Sequence, residues 1–332
     1  MEELSIEIVQ YITFNHLDSP KDILSLALSS HTMYHKILGP LDSENSYDVD
    51  QLRACGGVVL CCRRGWWRAA RLAVERGYGD PGAEWEESRT GRSGGVQVVR
   101  RTPLMAACSS GQAELVEALL AHPGADPTAD SHAALAHASA YGHIHVVRIL
   151  MADDRVDASA VYNKAILMAS LHGHADIVAL LLADESVDPS AMDNEAVQYA
   201  AENGMADVVA LLLDDQRVDP SARDNFALRI AAVHGHADVV SRLLQDKRVD
   251  PAAKDNVAIR SAARNGHADV VHLLINHPKV DPSASGNEAL RMAQQANHAA
   301  VVSLLLSDPR VEPTTTPVPV ATHAIATLPS SQ

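Results

Sequence analysis

The chain has 332 residues, and 27 Lys and Arg against 42 Asp and Glu leave it at a net −15, a length that fits about two domains. Hydrophobic residues make up 47% of it but aromatic residues only 4%, so the interior has to be built from Ala, Val and Leu at close spacing rather than from large rings. The charge argues against duplex binding, which draws its affinity from Lys and Arg on phosphates. No run approaches the roughly 18 apolar residues of a spanning helix, and Met1-Glu2-Glu3 is acidic where a signal peptide is basic. A soluble, intracellular protein, cytoplasmic or nuclear, is expected, with neither nucleic acid nor membrane as partner.

Residues 1–40 form the first expected element. Ser5 can cap a helix carrying Ile8, Val9 and Ile12, with Leu4 placed to staple against Val9. Ser19 can cap a second helix, with Pro20 at its first position and Ile23, Leu24, Ala27, Tyr34, Ile37 and Leu38 as its apolar positions. Two or three short helices cannot bury that much apolar surface among themselves, so the segment needs a neighbour. Leu4-Ser5-Ile6-Glu7-Ile8-Val9 followed by Leu17-Asp18-Ser19-Pro20-Lys21-Asp22-Ile23-Leu24 is similar to the F-box motif. The resemblance implies docking on a Skp-type adaptor of a cullin-based ubiquitin ligase through Leu4, Ile8, Ile12, Leu17, Ile23 and Leu24. The alternative is a helical cap packed on the first repeat. Residues 41–53 read as a linker.

From 54 to 81 a degenerate repeat is expected. Gly65 and Asp80-Pro81 stand fifteen residues apart, the turn-to-acid distance of the regular repeats below, and Ala69, Ala70, Ala73 and Val74 take the apolar slots. Residues 82–101 are an insertion whose Gly91, Gly94 and Gly95 predict a mobile loop. Between 51 and 101 ten Arg face five acids, so this end is basic and the remainder acidic. Cys55, Cys61, Cys62 and Cys108 lack paired zinc spacing and are too few for a disulfide scaffold, so free thiols are expected.

A repeat governs 102–313. Gly111, Gly142, Gly173, Gly204, Gly235 and Gly266 recur every 31 residues, and the next step lands on Asn297. Gly, with Asn as its commonest stand-in, marks a left-handed helix end. Four residues earlier stands an Ala in every unit, Ala107 through Ala293, small enough to let helices approach. Beyond the turn come pairs such as Val208-Val209 and Val239-Val240, then a Leu-Leu pair four residues on, which together make one apolar helical stripe. Fifteen residues past the turn an acid precedes Pro in most units, as in Asp219-Pro220 and Asp250-Pro251, and the proline is expected to stop the second helix. Each unit is helix, turn, helix, loop, with a face that only a neighbour can bury.

Arg101-Thr102-Pro103-Leu104-Met105-Ala106-Ala107 with Gly111, and Gly-His-Ala-Asp-Val-Val at 235–240 and 266–271, resemble the signatures of ankyrin repeats. The resemblance implies an all-α solenoid of seven stacked helix-turn-helix repeats over 102–313. The period is shorter than the family's roughly 33 residues, and the missing residues fall where the family carries a β-hairpin finger, so short fingers are expected.

No catalytic motif, phosphate loop or metal spacing stands out, so no enzyme, cofactor or metal is expected. His143, His174, His236, His267 and His298 all follow the turn and read as structural hydrogen-bonding residues. Positions nine, five and two before the turn lie opposite the buried stripe of the first helix, and in the middle units they hold Met168, Leu171, Tyr199, Phe226, Ile230 and Val233. Their variability among near-identical repeats suits a target-binding surface flanked by Glu195, Glu202 and Arg264; packing between repeats is the competing reading. Arg229, Arg260 and Arg291 recur once per repeat and could grip an acidic peptide, but pairing with Asp224 and Asp255 on neighbouring loops is the favoured expectation. Residues 314–332, uncharged and rich in Thr and Pro, predict a disordered tail. The expected protein is a ligase adaptor, monomeric outside its complex, that recruits a protein substrate. The alternative is a plain interaction scaffold with no ubiquitin role.

Overall fold

The structure, a computed structural model, describes residues 57–65, 67–77, 79–90 and 96–312. The F-box-like segment with its six adaptor positions, the 41–53 linker, Cys55 and the 314–332 tail lie outside the described residues. The chain divides between Asp188 and Pro189 into two compact units. The first holds helices α1 (Gly57–Arg64) and α2 (Trp67–Glu75), strands β1 (Trp85–Thr90) and β2 (Val96–Arg101), then α3 (Pro103–Ser109), α4 (Ala113–Leu120), α5 (Ala129–Ala140), α6 (Ile144–Met151), α7 (Ala160–His172) and α8 (Ala175–Leu182). The second holds α9 (Ala191–Glu202), α10 (Ala206–Asp214), α11 (Ala222–His234), α12 (Ala237–Gln245), α13 (Ala253–Asn265), α14 (Ala268–Ile275), α15 (Ala284–Gln295) and α16 (Ala299–Leu306).

Within each unit the helices pair into hairpins that stack in register, first helix on first helix and second on second. The alanines make this possible. Ala107, Ala138, Ala169, Ala231 and Ala262 are fully buried where the first helices meet their neighbours, and a longer side chain there would force the helices apart. The second helices bury Val-Val or Leu-Val pairs and a following Leu, as with Val239, Val240 and Leu243, each such side chain contributing about 1.5–3 kcal/mol.

The turns follow the spacing. Gly111, Gly142, Gly173, Gly204, Gly235 and Gly266 have φ between 71° and 81°, and Asn297 adopts φ 59°. The next N–H returns to the carbonyl of the recurring alanine, as in His236 N to Ala231 O at 3.0 Å, which closes the helix end. Gly65 has φ 74° between α1 and α2, which pack on α3 and α4.

Two expectations are corrected here. The fold is not purely helical: the insertion over 82–101 contains an antiparallel hairpin pairing Trp85 with Arg101 and Thr90 with Val96. The β-branched valines of Val96-Gln97-Val98-Val99 favour strand, so residues 85–90 and 96–101 pair where a loop was expected. Nor do the prolines stop the second helices. α12 ends several residues before Pro251, where Asp246 leaves the helix in extended conformation (φ −85°, ψ 121°), and Asp215 ends α10 in the same way.

Candidate functional site

The six target-binding candidates stand on the first helices of their hairpins, and all six are half-buried, neither sealed in the core nor fully exposed. Phe226, Ile230 and Val233 share one stripe of α11, opposite the buried Ala227, Leu228 and Ala231. Tyr199 takes the corresponding place on α9, which packs against α11. Partial burial and the neighbouring Glu195 and Glu202 carboxylates hold its phenol above the ordinary value. In the first unit Met168 and Leu171 form their own short stripe on α7. The Arg229 guanidinium lies 5.5 Å from the centroid of the Phe226 ring, which makes that ring a rigid platform between apolar and cationic neighbours.

The first helices α7, α9, α11 and α13 are entered through a left-handed turn. Val161-Tyr162-Asn163, Met192-Asp193-Asn194, Arg223-Asp224-Asn225 and Lys254-Asp255-Asn256 all have φ between 51° and 65°. That conformation costs about 1–2 kcal/mol per non-glycine residue, so the fold must hold it in place. The third residue does so. Asn163, Asn194, Asn225 and Asn256 accept, through Oδ1, the backbone N–H of Asp188, Asp219, Asp250 and Asp281 at 2.7–2.9 Å. His132 replaces Asn in an earlier turn and accepts from Asp157 N at 3.3 Å. The tips carry exposed side chains, including Tyr162 at 72% and Met192 at 47%.

The post-turn histidines make the structural bonds expected of them. Nε2 of His143, His174, His236, His267 and His298 lies 2.9–3.1 Å from a backbone carbonyl of the preceding hairpin. A carbonyl only accepts, so this nitrogen donates. Among the described residues no three His, Cys, Asp or Glu side chains gather as a metal site, and no helix is long and apolar enough to cross a membrane.

A family model described as ankyrin repeats in three copies matches residues 88–162, 166–255 and 228–316, more than half of the chain. The chain belongs to the ankyrin-repeat family. Among solved structures, the human ASB11 ankyrin repeat domain matches with a TM-score of 0.54 at 20% identity, covering 64% of this chain and 100% of that one, a likeness of fold. No curated protein sequence matches the chain. Ankyrin repeats imply a protein–protein interaction scaffold.

In these ankyrin repeats the finger is reduced to the three-residue left-handed turn. The arginine ladder that follows it is corrected. Arg229 donates to the backbone carbonyls of Asp224 (3.0 Å) and Arg223 (3.1 Å), and Arg291 to that of Ser285 (3.4 Å), so both cap the turn carbonyls instead of pairing with Asp224 or Asp255. Arg260 pairs with Glu288. Asp224 faces Lys254 at 2.9 Å, whose ammonium lowers its pKa, and Asp255 accepts from Ser285 Oγ. The aspartates are taken because the next turn, not the helix behind, lies against them.

A second arginine set went unrecognised in the sequence. Arg155, Arg248 and Arg310 each clamp the Asp two residues earlier and reach back to two backbone carbonyls of the preceding ankyrin repeat. Arg248 donates to Leu213 O at 2.9 Å and Val218 O at 2.7 Å; Arg310 donates to Ile275 O and Val280 O, both at 2.8 Å. Each guanidinium thus sits at the carbonyl end of a second helix, where a cation is favoured. The recurrence of Arg-Val-Asp or Arg-Val-Glu at the start of the loop was the available signal. Cys61, Cys62 and Cys108 are buried. Burial, with Cys61 adding to it, pushes the Cys62 thiol up to about 12, and burial raises Cys108 as well.

Proposed function

We propose that this ankyrin protein is a substrate-recruiting adaptor of a cullin-type ubiquitin ligase. Its F-box-like segment binds a Skp-type adaptor through Leu4, Ile8, Ile12, Leu17, Ile23 and Leu24, and its repeats hold the target on Met168, Leu171, Tyr199, Phe226, Ile230 and Val233. The chain performs no chemistry of its own and takes no cofactor or metal. The observation that carries the target-binding half is the half-buried stripe Phe226, Ile230, Val233, apolar and variable on a scaffold whose buried positions scarcely change between repeats. Packing alone gives no reason to vary those side chains while Ala, Val and Leu recur beneath them. The adaptor half is supported by the pattern from Leu4 to Leu24.

A pull-down of the full chain with a Skp-type adaptor tests the reading. Recovery is expected with the native chain and lost in Leu4→Asp and Ile12→Asp. An adaptor that is not retained by the native chain leaves an ankyrin interaction scaffold without a ubiquitin role.

A further inference from the structure

We propose that the partner-facing side of α11, α13 and α15 binds an acidic peptide segment, rich in Glu or Asp with an apolar anchor, in the protein that the array captures. This rests on the repeats being the target-binding part of the chain. Charge is segregated within the second unit. These three helices hold six basic and three acidic residues, whereas the rest of that unit up to Glu312 holds six basic and fourteen acidic ones. A cationic face therefore stands on a protein of net −15.

Half of its cations are already matched. Asp193 takes Arg223 at 3.5 Å, Asp224 takes Lys254 at 2.9 Å, and Glu288 takes Arg260. Arg229, Arg264 and Arg291 form no ion pair among the described residues. Arg229 and Arg291 donate to backbone carbonyls, which neutralise no charge, and Arg264 is exposed at the end of α13. These unmatched guanidinium groups fall one per repeat on three successive repeats, that of Arg229 lying over the Phe226 ring of the apolar stripe.

Guanidinium forks bind carboxylates in two-point fashion and keep that preference where water is partly excluded. The stripe supplies such exclusion and a seat for an aliphatic side chain. A long polyanion such as nucleic acid would also meet the acidic remainder of the unit, while a short peptide touches the basic face alone.

The test is fluorescence anisotropy of the full chain with a labelled octapeptide of six glutamates and two leucines, beside the same peptide with glutamine for glutamate and a single-stranded DNA of about thirty nucleotides. The glutamate peptide should bind, weaken about tenfold or more as salt rises from about 0.05 to 0.3 M, and weaken about tenfold in Arg264→Glu and in Arg291→Glu. Arg242→Glu on α12 should leave binding unchanged. Arg264 has no partner to lose, so its variant is expected to melt with the wild type and reports on binding alone. Equal binding of the glutamine peptide, equal loss in Arg242→Glu, or DNA competing as well as the peptide would each overturn the inference, the last by making the face a general polyanion site. Adaptor capture depends on Leu4 and Ile12, so a chain that retains the adaptor and ignores the peptide refutes this inference and leaves the ligase reading standing.

Discussion

A methyl group added at Gly235 would lie 2.5 Å from Nδ1 of His267, and one at Gly111 would lie 2.6 Å from Nδ1 of His143. The turn glycine therefore answers two demands, a φ near 78° and the imidazole of the next repeat resting on its α-carbon. Gly286, at φ 67°, has nothing within 4 Å of the same methyl position. Gly286→Ala should accordingly cost only the left-handed conformation, about 1–2 kcal/mol, while Gly235→Ala should cost about 1–3 kcal/mol more through overpacking. Denaturant unfolding of the two variants compares them directly, and equal losses would remove the histidine from the account. The 31-residue spacing located these glycines and the Asn297 substitute, yet it could not say that a ring thirty-two residues on lies against Gly111, Gly142, Gly204, Gly235 and Gly266. Cysteine reactivity is a second test at this scale. With its thiol pushed up to about 12 by burial, Cys62 should resist iodoacetamide at pH 8 in the native chain and react in denaturant, read site by site by peptide mass spectrometry.

Between elements the arginine clamps set an acid limit. The guanidinium of Arg155, Arg248 or Arg310 bonds to Asp153, Asp246 or Asp308 and holds each carboxyl below the usual carboxylate range. A depressed folded pKa means that the unfolded chain binds more protons, so this stabilisation is whole above the unfolded value of about 4 and fades as pH falls below it towards the folded value. Arg248→Met and Arg310→Met should shift the acid-unfolding midpoint, followed by circular dichroism, to higher pH. At neutral pH Arg248→Met should also cost about 1–2 kcal/mol, because the carbonyls of Leu213 and Val218 lose a charged donor at the surface. An unchanged acid limb in both variants would show the clamp to be ornamental. The asparagine turns work on the same level. Asn256→Ala strands the buried-side N–H of Asp281 and should cost about 1–3 kcal/mol in chemical denaturation. Helix and turn positions were readable because they repeat a local pattern. The clamps and asparagine ties were not, since their partners lie 25 to 35 residues away and are backbone atoms common to every residue.

For the molecule as a binding device, the decisive comparison is between the stripe and the core beneath it. Tyr199→Ala with Ile230→Ala should abolish target capture while moving the melting temperature by only a few degrees, since both side chains are half-buried. A large fall in melting temperature would return these residues to packing. Ala231→Leu is the opposite case: it should unfold or destabilise the second unit strongly, because Ala231 is fully buried between helices. The stripe could be placed from the sequence because helical period alone puts Phe226, Ile230 and Val233 opposite Leu228 and Ala231. Its chemistry could not. Whether Arg229 and Arg291 faced carboxylates or carbonyls depended on the path of the left-handed turns, and no local preference of Val161, Tyr162 or Arg223 points to such a turn.

The sequence by itself determined the repeat, the hairpin within it, the turn residue, the buried stripe and the family, because each follows from spacing along one chain and from whether a side chain is small, apolar or free to take positive φ. Only the tertiary structure decided that the insertion pairs as strands, that asparagine and arginine tie successive repeats, and that three arginines have no acid partner among the described residues. Those outcomes depend on which atoms of distant repeats come within hydrogen-bonding distance, a property of the stacked backbone rather than of any single repeat.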